Sequence, residues 1–273
     1  MTTGATSRGS VVAPGVPYVD AANVDKIYPS PKGAVTALRG VTFDIRDREF
    51  LSVLGPSGCG KSTFLKCVAG LTDISAGKLT VKGIPVAGPP ANMGIVFQRD
   101  ILLDWRTNLE NVLLPVDFRR LSRKEWVGRA RDLFALLGLS GFEDRSPWEL
   151  SGGMRQRVAI CRALIQNPEL LLMDEPFGAL DALTRDEMNL ELQRVWIADA
   201  KTVLFITHSI VESVFLSDRV VVMTRSPGRV LDVIEIDLPR PRELNIRETP
   251  QFGTYVAHIR ELFRQMGMFA RSP

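Results

Sequence analysis

An α/β fold around a mostly parallel sheet is what this sequence of 273 residues predicts. Short, almost purely apolar runs, at Phe50–Leu54, Leu170–Met173, Thr202–Ile206 and Val220–Met223, have the character of parallel strands covered on both faces. Helical segments lie between them, and strand–helix alternation around a buried sheet is the α/β pattern. The first run ends at a glycine-rich turn and passes straight into Lys61–Ala69, where Phe64, Leu65, Val68 and Ala69 recur at helical spacing until Gly70 stops them.

Taken in order, Met1–Pro17 is rich in Gly, Ser, Thr, Ala and Pro and reads as a flexible tail with no signal-peptide core. Tyr18–Asp25 and Val41–Ile45 alternate apolar and polar residues as half-buried strands do, and Leu79–Val81 and Met93–Phe97 are further short strands. From about Asn108 to Gly138 the texture turns helical. Arg119, Arg120, Arg123, Lys124, Arg129 and Arg131 are interleaved there with Leu121, Trp126, Leu133, Phe134 and Leu137, which leaves a docking face or a solvated helix surface open. Ser151–Gln166 and Asp186–Ala198 are helical. A last amphipathic helix carries Phe252, Tyr255, Val256, Ile259, Leu262, Phe263 and Met266, a stripe suited to packing on its own domain.

Composition narrows the class. With 34 basic and 31 acidic side chains, a net charge of +3 predicts no nucleic-acid partner. No apolar run approaches the roughly 20 residues that cross a bilayer, so a membrane link would go through a partner. Cys59, Cys67 and Cys161 form neither a disulfide framework nor metal-ligand spacing, which suits a reducing compartment. Cys59 reads as a small loop residue.

Three motifs carry chemistry. Gly55, Pro56, Ser57, Gly58, Cys59, Gly60, Lys61, Ser62 and Thr63 fit the phosphate loop G-x-x-x-x-G-K-[ST] between a buried strand and a helix. Glycines let successive backbone N–H groups turn toward phosphate oxygens, and the helix N-terminus adds its positive end. Lys61 can reach the β- and γ-phosphates of ATP, and Ser62 can place its hydroxyl on Mg²⁺. In Leu170–Pro176 a buried strand runs into Asp174 and Glu175 at the carboxyl edge of the sheet, where ligands of open α/β sheets bind. Beside a phosphate loop, Asp174 suits the metal through its water shell and Glu175 suits polarising the attacking water. Leu150–Arg157 opens a helix with Ser151 as N-cap and Gly152 and Gly153 leaving backbone N–H groups open to an anion.

In this order, the phosphate loop, Leu-Ser-Gly-Gly-Met-Arg-Gln-Arg and the acidic strand resemble the ABC ATPases over about Tyr18–Arg225. The resemblance implies a phosphate-loop NTPase core with an antiparallel β subdomain and a helical subdomain insertion at about 100–165. It places the ATPase domain over 18–242 and a helical extension over 243–273. It implies two copies paired head to tail, with Ser151, Gly152 and Gly153 contacting the partner's nucleotide and Asp181 in the loop where the copies meet. Gln98 matches the glutamine that senses Mg²⁺ and the attacking water and links to the membrane partner. His208 matches the histidine that contacts the γ-phosphate. Tyr28 matches the aromatic that stacks on adenine, with a half-buried core tyrosine as the alternative.

One ATPase copy and no membrane segment resemble a stand-alone importer subunit, peripheral on the cytoplasmic face of the membrane. Its implied partners are two permease subunits and, indirectly, a solute-binding protein. Leu103–Arg106, Arg225–Arg229 and Leu238–Arg242 resemble the nitrate, sulfonate and taurine importer group. A non-transport ABC ATPase of DNA repair or the ribosome is the alternative, but such chains carry a long coiled coil or two ATPase copies. A phosphate-loop GTPase would show Asn-Lys-x-Asp, which is absent.

Overall fold

The computed structural model describes residues 16–268 apart from 32, 179 and 200. The expected tail over Met1–Pro17 thus lies, except for Val16 and Pro17, outside the described residues. The strands and helices run β1 Val19–Tyr28, β2 Val35–Ile45, β3 Phe50–Leu54, α1 Lys61–Val68, β4 Ala76–Val81, β5 Ile84–Pro85 and β6 Met93–Val96. Next come α2 Asn108–Val112, α3 Leu114–Phe118, α4 Arg123–Leu136, α5 Gly152–Leu164, β7 Leu170–Asp174 and α6 Ala182–Asp199. The chain closes with β8 Thr202–Thr207, α7 Ile210–Leu216, β9 Arg219–Met223, β10 Val230–Glu235 and α8 Pro250–Gln265.

Six strands form the central sheet in the order β10-β9-β3-β8-β7-β6, all parallel except the edge strand β10, which runs antiparallel to β9. A second sheet, β2-β1-β4-β5, is antiparallel. Because strand side chains alternate between faces, the apolar runs of the central sheet feed two cores. Phe50, Leu54, Leu171, Met173, Val203, Phe205, Val220 and Val222 pack on one side with the helices. Leu51, Val53, Leu170, Leu172, Leu204, Ile206, Val221 and Met223 pack on the other with α1 and the antiparallel sheet. Double coverage is why these strands lack an alternating pattern.

The helical stretch from Asn108 to Gly138 is three helices. Thr107 and Glu110 form a capping box at the start of α2, and Pro115 sits in the first turn of α3. In the basic run Arg119, Arg120, Arg123, Lys124 and Arg131 are exposed, as a solvated helix surface requires, and Arg129 is half-buried. Arg123 pairs with Asp117 through two hydrogen bonds of 2.6 Å, and Arg129 donates to the carbonyls of Ile165 and Leu164 at the end of α5.

Helix α8 packs on its own domain: Phe252, Val256, Ile259 and Phe263 join the helix-side core. The segment leading to it acts as a clasp. Arg242 is fully buried and donates to the carbonyls of Val214, Phe215, Ser217 and Leu238 at 2.9–3.2 Å, satisfying the end of α7. Arg240 pairs with Asp218 and lies 4.2 Å over the Trp196 ring. The Leu238–Arg242 feature thus has a structural task.

Candidate active site

A first group of candidate residues hangs from the carboxyl ends of β3, β7 and β8 and from the loop after β6. The Gly55–Gly60 loop turns directly into α1, whose N-cap Gly60 has φ 105° and no capping side chain. A Cβ at Gly60 would lie 2.7 Å from the Ala37 carbonyl and from the Leu38 side chain, so only glycine fits against β2. Lys61 is buried, its ammonium donating to the carbonyls of Gly55 at 2.8 Å and Pro56 at 3.0 Å, so it is held inside the curve of the loop. Cys59 is buried too, and burial pushes its thiol pKa up, as suits an inert loop residue.

Ser62, one residue into α1, donates its hydroxyl to Asp174 Oδ1 at 2.8 Å. Burial raises the Asp174 pKa above the usual carboxylate range, against the pull of that hydrogen bond. Hard oxygen donors side by side are the chemistry that suits Mg²⁺. Among the described residues no group of three or more His, Cys, Asp and Glu could hold a metal unaided.

Glu175 turns out of β7 with φ 46°, a left-handed conformation that costs a residue with a side chain about 1–3 kcal/mol. Its N–H donates to Ile206 O at 2.9 Å, anchoring the turn to β8. Its Oε2 accepts from Gln98 Nε2 at 3.1 Å and lies 3.3 Å from His208 Nδ1. Sequentially distant Lys61, Ser62, Gln98, Asp174, Glu175 and His208 therefore converge at one end of the sheet.

Ser151, Gly152, Gly153 and Asp181 form a second group. Ser151 caps α5, its Oγ accepting from the Met154 N–H at 3.3 Å, and Ser151 and Gly152 are exposed. A Cβ on Gly153 would lie 3.1 Å from Leu180, and Asp181 accepts from the Thr184 N–H at the start of α6. Among the described residues Ser151–Gly153 make no hydrogen bond to the first group. Tyr28, 36% exposed at the end of β1 with Lys26 Nζ 4.8 Å over its ring, is not a core tyrosine.

Two features escaped the sequence. Gly228, in the β9–β10 turn, buttresses the phosphate loop from behind: its N–H donates to Ala37 O at 2.9 Å, and a Cβ there would stand 2.0 Å from Cys59 O. The Arg225–Arg229 feature that resembles the importer group contains this glycine, which was the available signal. An apolar cleft of about 360 Å³ runs between β6 and the inserted helices, lined by Gly94, Ile101, Leu103, Pro115, Phe118 and Arg162. Its lining comes from four separate stretches of chain, so no single run announced it.

Comparison with known proteins places this geometry. Residues 38–178 match the model of the ABC transporter family. The chain belongs to that family. A taurine import ATP-binding protein, TauB, of Rhizobium johnstonii is 47% identical over 84% of this chain and 89% of its own. The bicarbonate transport ATP-binding protein CmpD of Synechococcus elongatus is 44% identical over 86% of each. The solved dimeric structure of MJ0796, a bacterial ABC transporter cassette, superimposes with a TM-score of 0.73 at 32% identity, over 81% of this chain and all of that one. This member of the ABC family is therefore an ATP-binding cassette ATPase, with the mixed, mostly parallel sheet, antiparallel sheet and helices of that fold.

Proposed function

We propose that this ABC protein is the energy-coupling ATPase of an importer for a small solute of the nitrate, sulfonate and taurine type. The observation that carries the reading is the Glu175 carboxylate, strained out of β7 and met by both Gln98 and His208 beside the phosphate loop. In this reading Lys61 and the N–H groups of Gly55–Thr63 bind the phosphates of ATP, and Tyr28 stacks on the base. Ser62, Asp174 and Gln98 would hold Mg²⁺, which would neutralise charge on the phosphates of ATP. Glu175 accepts a proton from the attacking water, Gln98 orients that water, and His208 donates to the γ-phosphate.

Two copies close head to tail, so that Ser151, Gly152 and Gly153 of one meet the γ-phosphate on the other, with Asp181 at the seam. TauB and CmpD, named for taurine import and bicarbonate transport, support the importer class. The non-transport alternative gains no support from these relatives. Among the described residues no helix is long and apolar enough to cross a membrane. In this reading the chain sits peripherally on the cytoplasmic face, on two permease subunits served by a solute-binding protein. The cleft beside β6, rimmed by Phe118 at 78% and Ile101 at 53% exposure, suits a permease segment. The ATPase domain spans 18–242, with the inserted helices at about 100–165 and the extension at 243–273.

Glu175→Gln tests the reading. ATP binding should persist while turnover falls about 10²–10⁴-fold, and the protein should accumulate as an ATP-bound dimer in light scattering. Near-normal phosphate release would remove Glu175 from its role.

A further inference from the structure

Outside the groups assigned to nucleotide, one buried carboxylate touches the supports of two of them. Glu212, on α7, is 5% exposed. Its Oε2 accepts the Thr207 hydroxyl at 2.5 Å, and its Oε1 lies 3.4 Å from Arg185 Nε. Its own N–H donates to Ser209 Oγ at 3.3 Å, and the Ser209 N–H donates to Thr207 Oγ1 at 3.0 Å. Both chain neighbours of His208 are thus held by this one residue.

The other end of the link reaches the second group. Arg185 lies in the first turn of α6; its Nη2 donates to Leu180 O at 2.8 Å and its backbone N–H to Asp181 O at 2.9 Å. Guanidinium and carboxylate therefore join the Leu180–Asp181 loop to Thr207, whose Oγ1 in turn accepts from the Ser209 N–H. Burying a carboxylate carries a desolvation penalty that an apolar side chain of similar size avoids, so the pair earns little as a stability device. Its distinctive property is direction. The ion pair, Nε to Oε1 at 3.4 Å, is held at its two ends by the hydrogen bonds to Leu180 O and from the Thr207 hydroxyl, so it links these two loops in particular.

We propose that Glu212 is a positioning residue that couples the Asp181 loop to His208, so that closure of the dimer seam sets His208 against the γ-phosphate and Glu175. The inference rests on the roles given above to Asp181 and His208.

The test is a double-mutant cycle on the full-length protein, reading MgATP affinity and kcat. Glu212→Gln should leave affinity within about twofold and lower kcat at least about fivefold, whereas in a His208→Ala background it should lower kcat no further. A kcat within about twofold of the parent, or the same proportional loss in the His208→Ala background, overturns the proposal. Where Glu212→Gln does not fold, Arg185→Gln severs the same link from its less buried end and must give the same pattern. Glu175→Gln run alongside separates the failures. Normal turnover there defeats the hydrolysis reading itself, whereas an inactive Glu175→Gln beside a normal Glu212→Gln defeats only the coupling.

Discussion

Gly228 shows how a residue remote in sequence can govern a phosphate site. Its carbonyl accepts from Arg39 N–H at 3.0 Å and its N–H binds Ala37 O, so the backbone is held on both sides. A methyl group there would stand 2.0 Å from Cys59 O, and with Gly228 fixed, the phosphate loop must give way. Gly228→Ala should therefore weaken MgATP binding about tenfold, or about 1.4 kcal/mol, measured by nucleotide titration. Unchanged affinity in a folded variant would show that the loop absorbs the methyl elsewhere. At this scale the site was legible where chemistry is local. Gly55–Thr63, Asp174–Glu175 and Ser151–Gly153 are contiguous signatures, whereas Gly228 against Cys59 and Glu212 against Arg185 are contacts that folding creates. Gln98, His208, Asp181 and Tyr28 became legible only through family resemblance.

Between elements, the α3–α4 corner is fastened by charge. Asp117 at the end of α3 receives Nε and Nη2 of Arg123, and Arg106 adds a bond of 2.8 Å. The hydrogen bond from Arg123, with that from Arg106, holds the Asp117 carboxyl down to about 2. A carboxylate pKa depressed by folding adds stability that is present above the unfolded value of about 4 and fades as pH falls toward the folded value. Asp117→Asn should cost about 1 kcal/mol at neutral pH, and the gap in melting temperature from the parent should close between about pH 4 and pH 2. A gap that persists to the acid end would mean that packing, not charge, fastens the corner. Sequence periodicity found the buried strands within a residue or two because their apolar runs stop sharply, at Gly55, Asp174, Thr207 and Thr224. It missed β10, whose Val230–Glu235 run is only half buried, and it merged α2–α4 because Pro115 starts a helix there and breaks none.

Over the whole molecule, the sheet divides the interior into two cores, and the C-terminal helix belongs to the larger one. Phe263, 4% exposed, shares that core with Phe50 and Phe205 of the strands beside the phosphate loop. Phe263→Ala should cost about 3–5 kcal/mol. The loss should lower one cooperative melting transition that is also raised by MgATP; a separate early transition for α8 would contradict the shared core. The amphipathic stripe of α8 announced this burial, but its partner surface was not readable, since the stripe does not say which face receives it.

The clasp at Leu238–Arg242 bears on how such proteins can be recombined. Arg242 satisfies the last carbonyls of α7, yet some 25 residues of other structure separate the two along the chain. A hybrid that takes its C-terminal region from a relative has a safe crossover just after Arg242, which keeps the guanidinium with the helix it closes. A crossover between Leu216 and Leu238 would divorce them, and mismatched parents would inherit a charge sealed away from both water and its acceptors.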